Sequence, residues 1–328
     1  MLDPAIAACR LAVRESLRPF SDSGATVLVA LSGGADSLAL AAAAAHEAQK
    51  LGLQIATVTV DHGLQAASDE VAERAADQAR ALKIPDARIA RVEVGSDGGP
   101  EAAARDARYG AIARVASETG VVAVILGHTL DDQAETVLLA LARGAGAGSL
   151  QGMASRRVDE RGLAWVRPLL ALRRDDTRAF CAASGIEPWH DPHNADDRFS
   201  RVRVRERVLP VLETELGPGI AEALARTAEQ LREDNEAFAD MIDETIEDIV
   251  EHAEAGIAIS AAALEANPPA IRNRIIRLVA QSEFGASLTR RQTLEIARLV
   301  TDWHGQGPID LPGFTAERRS GRVVLASR

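Results

Sequence analysis

The sequence predicts an α/β fold: a mostly parallel, doubly wound sheet over residues 1–218, followed by a smaller, mainly helical domain over residues 219–328. Three observations carry that expectation. Apolar runs beginning at Thr26, Leu53, Ala87 and Val121 are separated by helix-length segments, and runs without polar alternation are those of strands covered on both faces. The first run ends on Gly33 and Gly34, where a helix has to begin. From Gly219 onward the apolar spacing is almost entirely helical.

The elements follow in order. Thr26–Leu31 reads as a buried strand and Asp36–Lys50 as its helix; Leu53–Val60 is the second strand, and Ser68–Leu82 the second helix, opened by Ser-Asp-Glu. Ala87–Val94 is the third strand. Pro100–Glu118 is a helix with proline at its start, where the missing N–H costs nothing. Val121–Gly127 is the fourth strand, and a helix runs from about Asp131 to Arg143 until Gly144, Gly146 and Gly148 stop it. A polar stretch and the run Leu163–Leu172 feed a helix over Arg173–Ser184, and Gly185–Glu213 is loop followed by helix. Later helices are expected at Ile220–Ala255, Ser260–Glu265, Pro269–Phe284 and Thr289–Thr301, with a small terminal hairpin.

Composition narrows the function classes. With 47% hydrophobic and 3% aromatic residues, the core has to be built from Ala, Leu, Val and Ile. Cys9 and Cys181 lie far apart, which excludes a disulfide framework or a four-thiolate zinc site and fits a reduced cytoplasm. No stretch supplies the roughly 18 apolar residues of a membrane span. The net charge of −11 is unevenly spread: Glu222–Glu254 holds 12 acidic residues against 2 arginines, whereas Arg143–Pro210 holds 13 arginines against 9 acids and residues 290–328 hold 7 against 4. A local basic surface for nucleic acid is therefore compatible with an acidic chain.

The turn Ser32-Gly33-Gly34-Ala35-Asp36-Ser37 carries the chemistry. Small residues between strand and helix let the backbone approach a ligand and leave first-turn amides facing an anion, with Ser32 and Ser37 adding hydroxyls. It lacks the lysine of a Walker loop and the third glycine of a dinucleotide loop. Asp36 beside polyphosphate calls for a divalent cation between them, which favours Mg2+ with a nucleotide. A simple glycine turn with an Asp cap is the plainer alternative. This residue set resembles the PP-loop family of N-type ATP pyrophosphatases, which implies cleavage of ATP between the α and β phosphates, with the substrate adenylated.

Further candidates lie where strands end. Asp61 and His62 follow the second strand, in the crevice that also receives the first loop. His128, Asp131, Asp132 and Glu135 follow the fourth; Asp132 and Glu135 share a helix face, and three acids exceed what dipole compensation requires, so a cation or cationic substrate is expected. Arg105 and Arg108 precede the only tyrosine, Tyr109.

Together, Ser32–Ser37, His62–Leu64, Ala104–Tyr109, His128–Thr136, Arg143–Met153, Arg167–Leu170 and the segment from Trp189 closely resemble the tRNA(Ile)-lysidine synthetase family over residues 25–210. Departures occur at Gln65, Ser149-Leu150, His193-Asn194 and Val202, and the chain resembles the shorter family form without a further C-terminal domain. The resemblance implies adenylation of the wobble cytidine in the CAU anticodon of isoleucine tRNA, attack by L-lysine, and release of AMP. It implies ATP and Mg2+ as cofactors, pyrophosphate on Ser32, Gly33, Gly34, Ala35 and Ser37, and metal on Asp36. Asp61 and His62 belong with the nucleotide, Asp132 and Glu135 with the lysine ammonium groups, and Arg108 and His128 with substrate orientation or charge. Arg201 and Arg205, four apart on one helical face, are expected to contact the tRNA backbone or to hold the loop that does, with Arg174 and Arg178 as further candidates. A homodimer is compatible with this reading. The rivals are a tRNA sulfur transferase of the same fold, disfavoured because neither cysteine follows an active-site strand, and a tRNA-binding protein without catalysis.

Overall fold

Alternating apolar strands and alanine-rich helices build the first unit, Met1–Leu231. Its order is α1 (Pro4–Leu17), β1 (Thr26–Ala30), α2 (Ala35–Lys50), β2 (Gln54–Asp61), α3 (Ser68–Ala81), β3 (Ala87–Arg91), α4 (Pro100–Thr119), β4 (Ala123–Ile125), α5 (Leu130–Ala142), α6 (Ala147–Leu150), β5 (Arg156–Val158), β6 (Ala164–Val166), α7 (Arg174–Ala183), α8 (Ser200–Arg203), a π-helical turn Val204–Val208, α9 (Leu209–Glu215) and the start of α10 (Ile220–Ile249). The computed structural model describes residues 2–21, 24–63, 68–93, 95, 100–144, 146–191, 196–253 and 256–327; Leu64, Gln65, His193 and Asn194, singled out above, lie outside them.

The sheet order is β3-β2-β1-β4-β6-β5, parallel throughout except for β5, which pairs antiparallel with β6. Strand β1 is apolar on both faces because it lies between β2 and β4: Val29 stands level with Thr57 on one side and Ile125 on the other. Val27 and Val29 enter a core shared with α1, α2, α3 and α7, whereas Leu28 enters the core beneath α4. Chain order reverses between β1 and β4, so the crevice beyond their C-terminal ends is the switch point where open α/β sheets bind ligands.

Two features were not expected. Helix α1 buries Ile6, Cys9, Val13 and Leu17 at helical spacing against α2 and α7, and is opened by Pro4 and by Asp3, whose carboxylate accepts from the Ala5 amide at 2.8 Å. Strands β5 and β6 form a hairpin whose turn is tied by Asp159, which accepts from the Arg161 and Leu163 amides and from the Trp165 indole.

The second unit, Arg232–Arg328, contains the rest of α10, then β7 (Val250–Ala253), β8 (Gly256–Ser260), α11 (Ala261–Ala266), α12 (Pro269–Phe284), α13 (Arg290–Thr301), β9 (Ile309–Leu311), β10 (Phe314–Arg319) and β11 (Arg322–Ser327). The division thus falls within α10, and the expected boundary near Pro218 lies just ahead of that helix. This region is helical but also holds a five-stranded antiparallel sheet, β7-β8-β11-β10-β9. The expected hairpin is β10–β11, while the helix expected to reach Ala255 ends at Ile249 and the chain turns into strands. Gly256 sits at φ +149°, and a Cβ there would lie 2.0 Å from the Leu325 carbonyl oxygen, so β8 can pair with β11 only from a glycine. Ile257 and Ile259, Phe314 and Ala316, and Val323 and Leu325 alternate inward against Ile275, Val279, Ile296 and Leu299 of the helices.

A buried carboxylate fastens α1 to α2. Glu47 has no exposed surface and accepts from the Arg14 Nε at 2.6 Å and the Lys50 Nζ at 3.2 Å. Those hydrogen bonds, the one from Arg14 foremost, overcome burial and hold its carboxyl below the ordinary range. A lowered carboxyl pKa stabilises the fold above the unfolded-state value, and that contribution disappears as pH falls through the folded value. Glu47→Gln should therefore lower stability by about 1–3 kcal/mol near neutral pH, and the deficit should shrink in acid, where the native carboxyl protonates. Paired denaturant melts across pH measure this.

Candidate active site

The strand β1 ends at Ala30, and the chain turns through Ser32 and Gly33 into α2. Gly33 has φ +80°, and its carbonyl accepts from the Trp189 amide at 2.9 Å, which ties the loop before α8 over the turn. Ser37 receives the Ser32 amide at 3.1 Å and donates to the Gly34 carbonyl at 3.0 Å, fixing the curvature of the turn. Gly34, the N-cap, offers no side-chain acceptor, so the first-turn amides of Ala35, Asp36 and Ser37 remain available to an anion. After β4, Gly127 passes so close that a Cβ would lie 3.1 Å from the Asp36 carbonyl and the Ser37 amide. That approach brings the two strand ends together around a cavity of roughly 1110 Å³.

The cavity brings together most of the expected residues: Ser32, Gly34, Ala35, Asp36, Ser37, Asp61, His62, Arg108, His128 and Asp132 line it, as do Arg174, Arg178, Arg201 and Arg205. Gly33 faces Ala75 and Trp189, and Glu135 is fully buried behind the wall. Asp61 accepts from the Gly63 amide at 3.0 Å, which with Arg91 outweighs burial and keeps its carboxyl below the ordinary range.

The acidic end is closed by arginines. Helix α5 starts with a capping box in which Asp132 accepts from both the amide and the hydroxyl of Thr129, leaving its other oxygen for Arg174 at 3.0 Å. Glu135 accepts from Arg205 at 2.7 and 3.1 Å and from Arg174 at 3.1 Å, with Arg201 at 3.7 Å. Asp131 holds the start of α7, accepting from the Arg174 amide and from Arg173, which also binds Glu222. Of the four arginines expected to meet tRNA, only Arg178, at the cavity rim, is largely exposed, paired with Asp175. Arg174, Arg201 and Arg205 reach inward, because a carboxylate with no exposed surface needs cations beside it. Arg203 and Arg207, on the opposite side, bind the Asp197–Arg198 loop.

Protonation follows from this packing. Burial, reinforced by Asp132, raises the Asp36 carboxyl, against the Thr177 hydrogen bond and Arg174. Burial would raise Asp132, but Arg174 takes it below the usual range. The His128 imidazole is pushed down to about 3 by burial, helped by Arg167 and Arg108 and opposed by Asp132; its Nδ1 and that of His62 are buried without a partner. His62 is lowered by burial and then by Arg108, itself lowered by burial. Among the described residues no cluster of three His, Cys, Asp or Glu could hold a metal by itself. Asp36 fits Mg2+ in another way, since that ion binds through one or two carboxylates completed by substrate phosphates.

Thr177 and Gln133 were missed. The Thr177 hydroxyl hydrogen-bonds to Asp36 and to the Arg174 carbonyl; its signal in the sequence is a Thr on the buried stripe with Phe180 and Cys181. Gln133 exchanges two hydrogen bonds with the Met153 backbone, and Gly152, at φ +60°, leaves room for its amide.

A PP-loop domain model matches residues 10–212, and a TilS substrate binding domain model matches residues 259–324. The tRNA(Ile)-lysidine synthase of Leifsonia xyli is 57% identical over 303 residues, 92% of this chain and 90% of that protein. Those of Salinispora tropica and Thermobifida fusca are 48% and 46% identical, covering 98% and 99% of this chain and 97% and 98% of their own lengths. Among solved structures, the U34-tRNA thiolase NcsA from Methanococcus maripaludis with its [4Fe-4S] cluster superposes with a TM-score of 0.60 at 20% identity, covering 70% of this chain and 80% of that one, a likeness of fold.

The His128 imidazole should stay neutral across the ordinary range: in histidine-labelled protein its ring resonances should not move between about pH 5 and 8. A titration near the ordinary histidine value would contradict the burial assigned to it.

Proposed function

The chain belongs to the tRNA(Ile)-lysidine synthase family, ligases that form lysidine on tRNA(Ile) at the expense of ATP, and from that premise we propose how the cavity divides the work. The observation that carries the proposal is the pairing of an anion-binding turn with two buried carboxylates across one switch-point cavity. Nothing about hydride transfer or hydrolysis requires both.

In the first half-reaction the wobble cytidine oxygen attacks the α-phosphorus of ATP, and pyrophosphate leaves. The amides following Gly34, with Ser32 and Ser37, bind the departing phosphates, whose charge the start of α2 favours. Asp36 would hold Mg2+, and the Thr177 hydroxyl orients that carboxylate. When bound there, the ion would supply charge neutralisation of the polyphosphate. Asp61 and His62 lie toward the nucleotide. In the second half-reaction the lysine amine attacks the base carbon and AMP leaves, an oxo oxygen having been turned into a good leaving group. Asp132 and Glu135 bind the lysine ammonium groups by exchanging them for part of their contact with Arg174 and Arg205, cation for cation. Neutral His128 and Arg108 orient substrate, and an imidazole held uncharged does not repel the incoming lysine.

Sulfur transfer needs a reactive thiolate. Cys9 and Cys181 are buried free thiols raised by burial to about 12 and about 11, and Cys181 hydrogen-bonds to the Ala35 carbonyl. Both stay protonated, which supports structural roles. No helix among the described residues is long and apolar enough to cross a membrane.

Isoleucine tRNA, ATP and labelled lysine should yield label at a single nucleotide together with AMP; folded protein and competent tRNA without incorporation would overturn the assignment. Asp36→Asn should abolish AMP formation while weakening tRNA binding little, and undiminished AMP release would remove Asp36 from the mechanism. Replacing both cysteines with serine should leave incorporation nearly unchanged.

A further inference from the structure

One face of α7 lies against the start of α2. Arg174, Thr177 and Cys181 follow one another at helical spacing, so they share that side of the helix. The Arg174 Nε lies 3.7 Å from one oxygen of the Asp36 carboxylate, the Thr177 hydroxyl bonds to the other, and the Cys181 thiol reaches the Ala35 carbonyl at 3.5 Å. Thr177 itself has no exposed surface. The Asp36 backbone is boxed in by Gly127, where a Cβ would lie 3.1 Å from its carbonyl. The carboxylate can therefore move only through its own side-chain torsions.

A helical threonine commonly satisfies its hydroxyl on a carbonyl one turn back, and Thr177 has such a partner in the Arg174 carbonyl at 2.7 Å. It does not need Asp36 to be satisfied. Its single proton lies between a neutral carbonyl and a carboxylate, and the charged acceptor makes the stronger bond. The contact matters to the carboxylate. Asp36 stands beside a guanidinium whose Nη2 is spent on Asp132 at 3.0 Å and Glu135 at 3.1 Å, while its Nε, 3.7 Å away, is too far for a hydrogen bond to Asp36. An unrestrained carboxylate would close that gap and pair with Arg174, as Glu135 pairs with Arg205 at 2.7 Å. Its lone pairs and charge would then be taken up by the guanidinium, which makes it a poorer metal ligand.

We propose that Thr177 is a positioning residue whose hydroxyl holds the Asp36 carboxylate off Arg174 and so keeps it available to a divalent cation. The proposal rests on the assignment of Mg2+ to Asp36 and deepens it, since Mg2+ demands near-ideal geometry and so a carboxylate held in one orientation. The helix that carries Thr177 is itself fixed, by Cys181 on α2 and by Asp131, which accepts from the Arg174 amide at 2.7 Å.

The test is calorimetric binding of an ATP analogue with a methylene group between its α and β phosphates. The whole chain is titrated in EDTA and across Mg2+ concentrations, as native protein, Thr177→Val and Thr177→Ser. Loss of a hydrogen bond to a charged group changes an equilibrium by about tenfold or more, so Thr177→Val should need roughly ten times more Mg2+ for half-maximal binding. In EDTA it should bind the analogue as the native protein does, because the hydroxyl acts through the metal, and its melting temperature and tRNA affinity should be unchanged. Thr177→Ser should restore the native Mg2+ dependence. Should the valine variant fail to fold, Thr177→Ala loses the same hydroxyl and carries the same expectation. An unchanged Mg2+ requirement in the folded variant would overturn the proposal, as would a loss of equal size in EDTA or in Thr177→Ser. Native protein that binds the analogue no better with Mg2+ than in EDTA defeats the metal assignment itself; native protein that does bind better, equalled by Thr177→Val, defeats the role of Thr177 alone.

Discussion

Glu135 has no exposed surface, and its negative charge sets the arrangement of the acidic end of the cavity. Arg205 and Arg174 come to it from separate parts of the chain, one from the π-helical turn after α8 and one from the first residue of α7. Removing a partner from a buried ion pair costs about 3–5 kcal/mol, so this carboxylate pins both segments against α5. The same arginines touch Asp132, and Arg174 also lies 3.7 Å from Asp36. Charge balance therefore links Asp36, the acidic pair and the loop that closes over the turn.

That linkage explains how one cavity suits two opposed tasks. In the proposed division of work, the turn after β1 attracts polyphosphate and the start of α5 attracts ammonium. Placed side by side in a dry interior the two would disturb each other's ionisation, as the raising of Asp36 beside Asp132 illustrates. Guanidiniums between them keep the acidic end near neutral until a cation arrives. Histidines at the same wall stay uncharged because burial and neighbouring arginines disfavour the imidazolium. A neutral imidazole does not repel a cationic substrate.

Much of this was legible in the sequence. The mainly apolar runs gave β1, β2 and β4 and the crevice, because covered parallel strands write their burial as apolar stretches, whereas β3, at the sheet edge, carries Arg88 and Arg91. The ordered motifs at Ser32–Ser37, Asp61–His62, Arg108 and His128–Glu135 met in one place, although Gly33, Asp131 and Glu135 do not themselves line the cavity. The three-residue strands β5 and β6 were too short to show a period, and β7 and β8 follow a helix whose pattern runs on past Ile249 without a break. Spacing put Arg201 and Arg205 on one face but could not tell which way that face turns; the deciding fact is the burial of Glu135, which depends on tertiary packing. Thr177 escaped notice because its partner, Asp36, is distant in the chain.

On the proposed mechanism, AMP is transferred to the oxygen of the base before lysine attacks. Isotope tracing tests it most directly: isoleucine tRNA carrying oxygen-18 at the wobble cytidine carbonyl is converted with unlabelled ATP and lysine, and the released AMP is analysed by mass spectrometry. The heavy oxygen should appear in the phosphate of AMP, one atom for each lysidine formed. Lysidine formation with unlabelled AMP would contradict it, since the oxygen would then have left the base by another route.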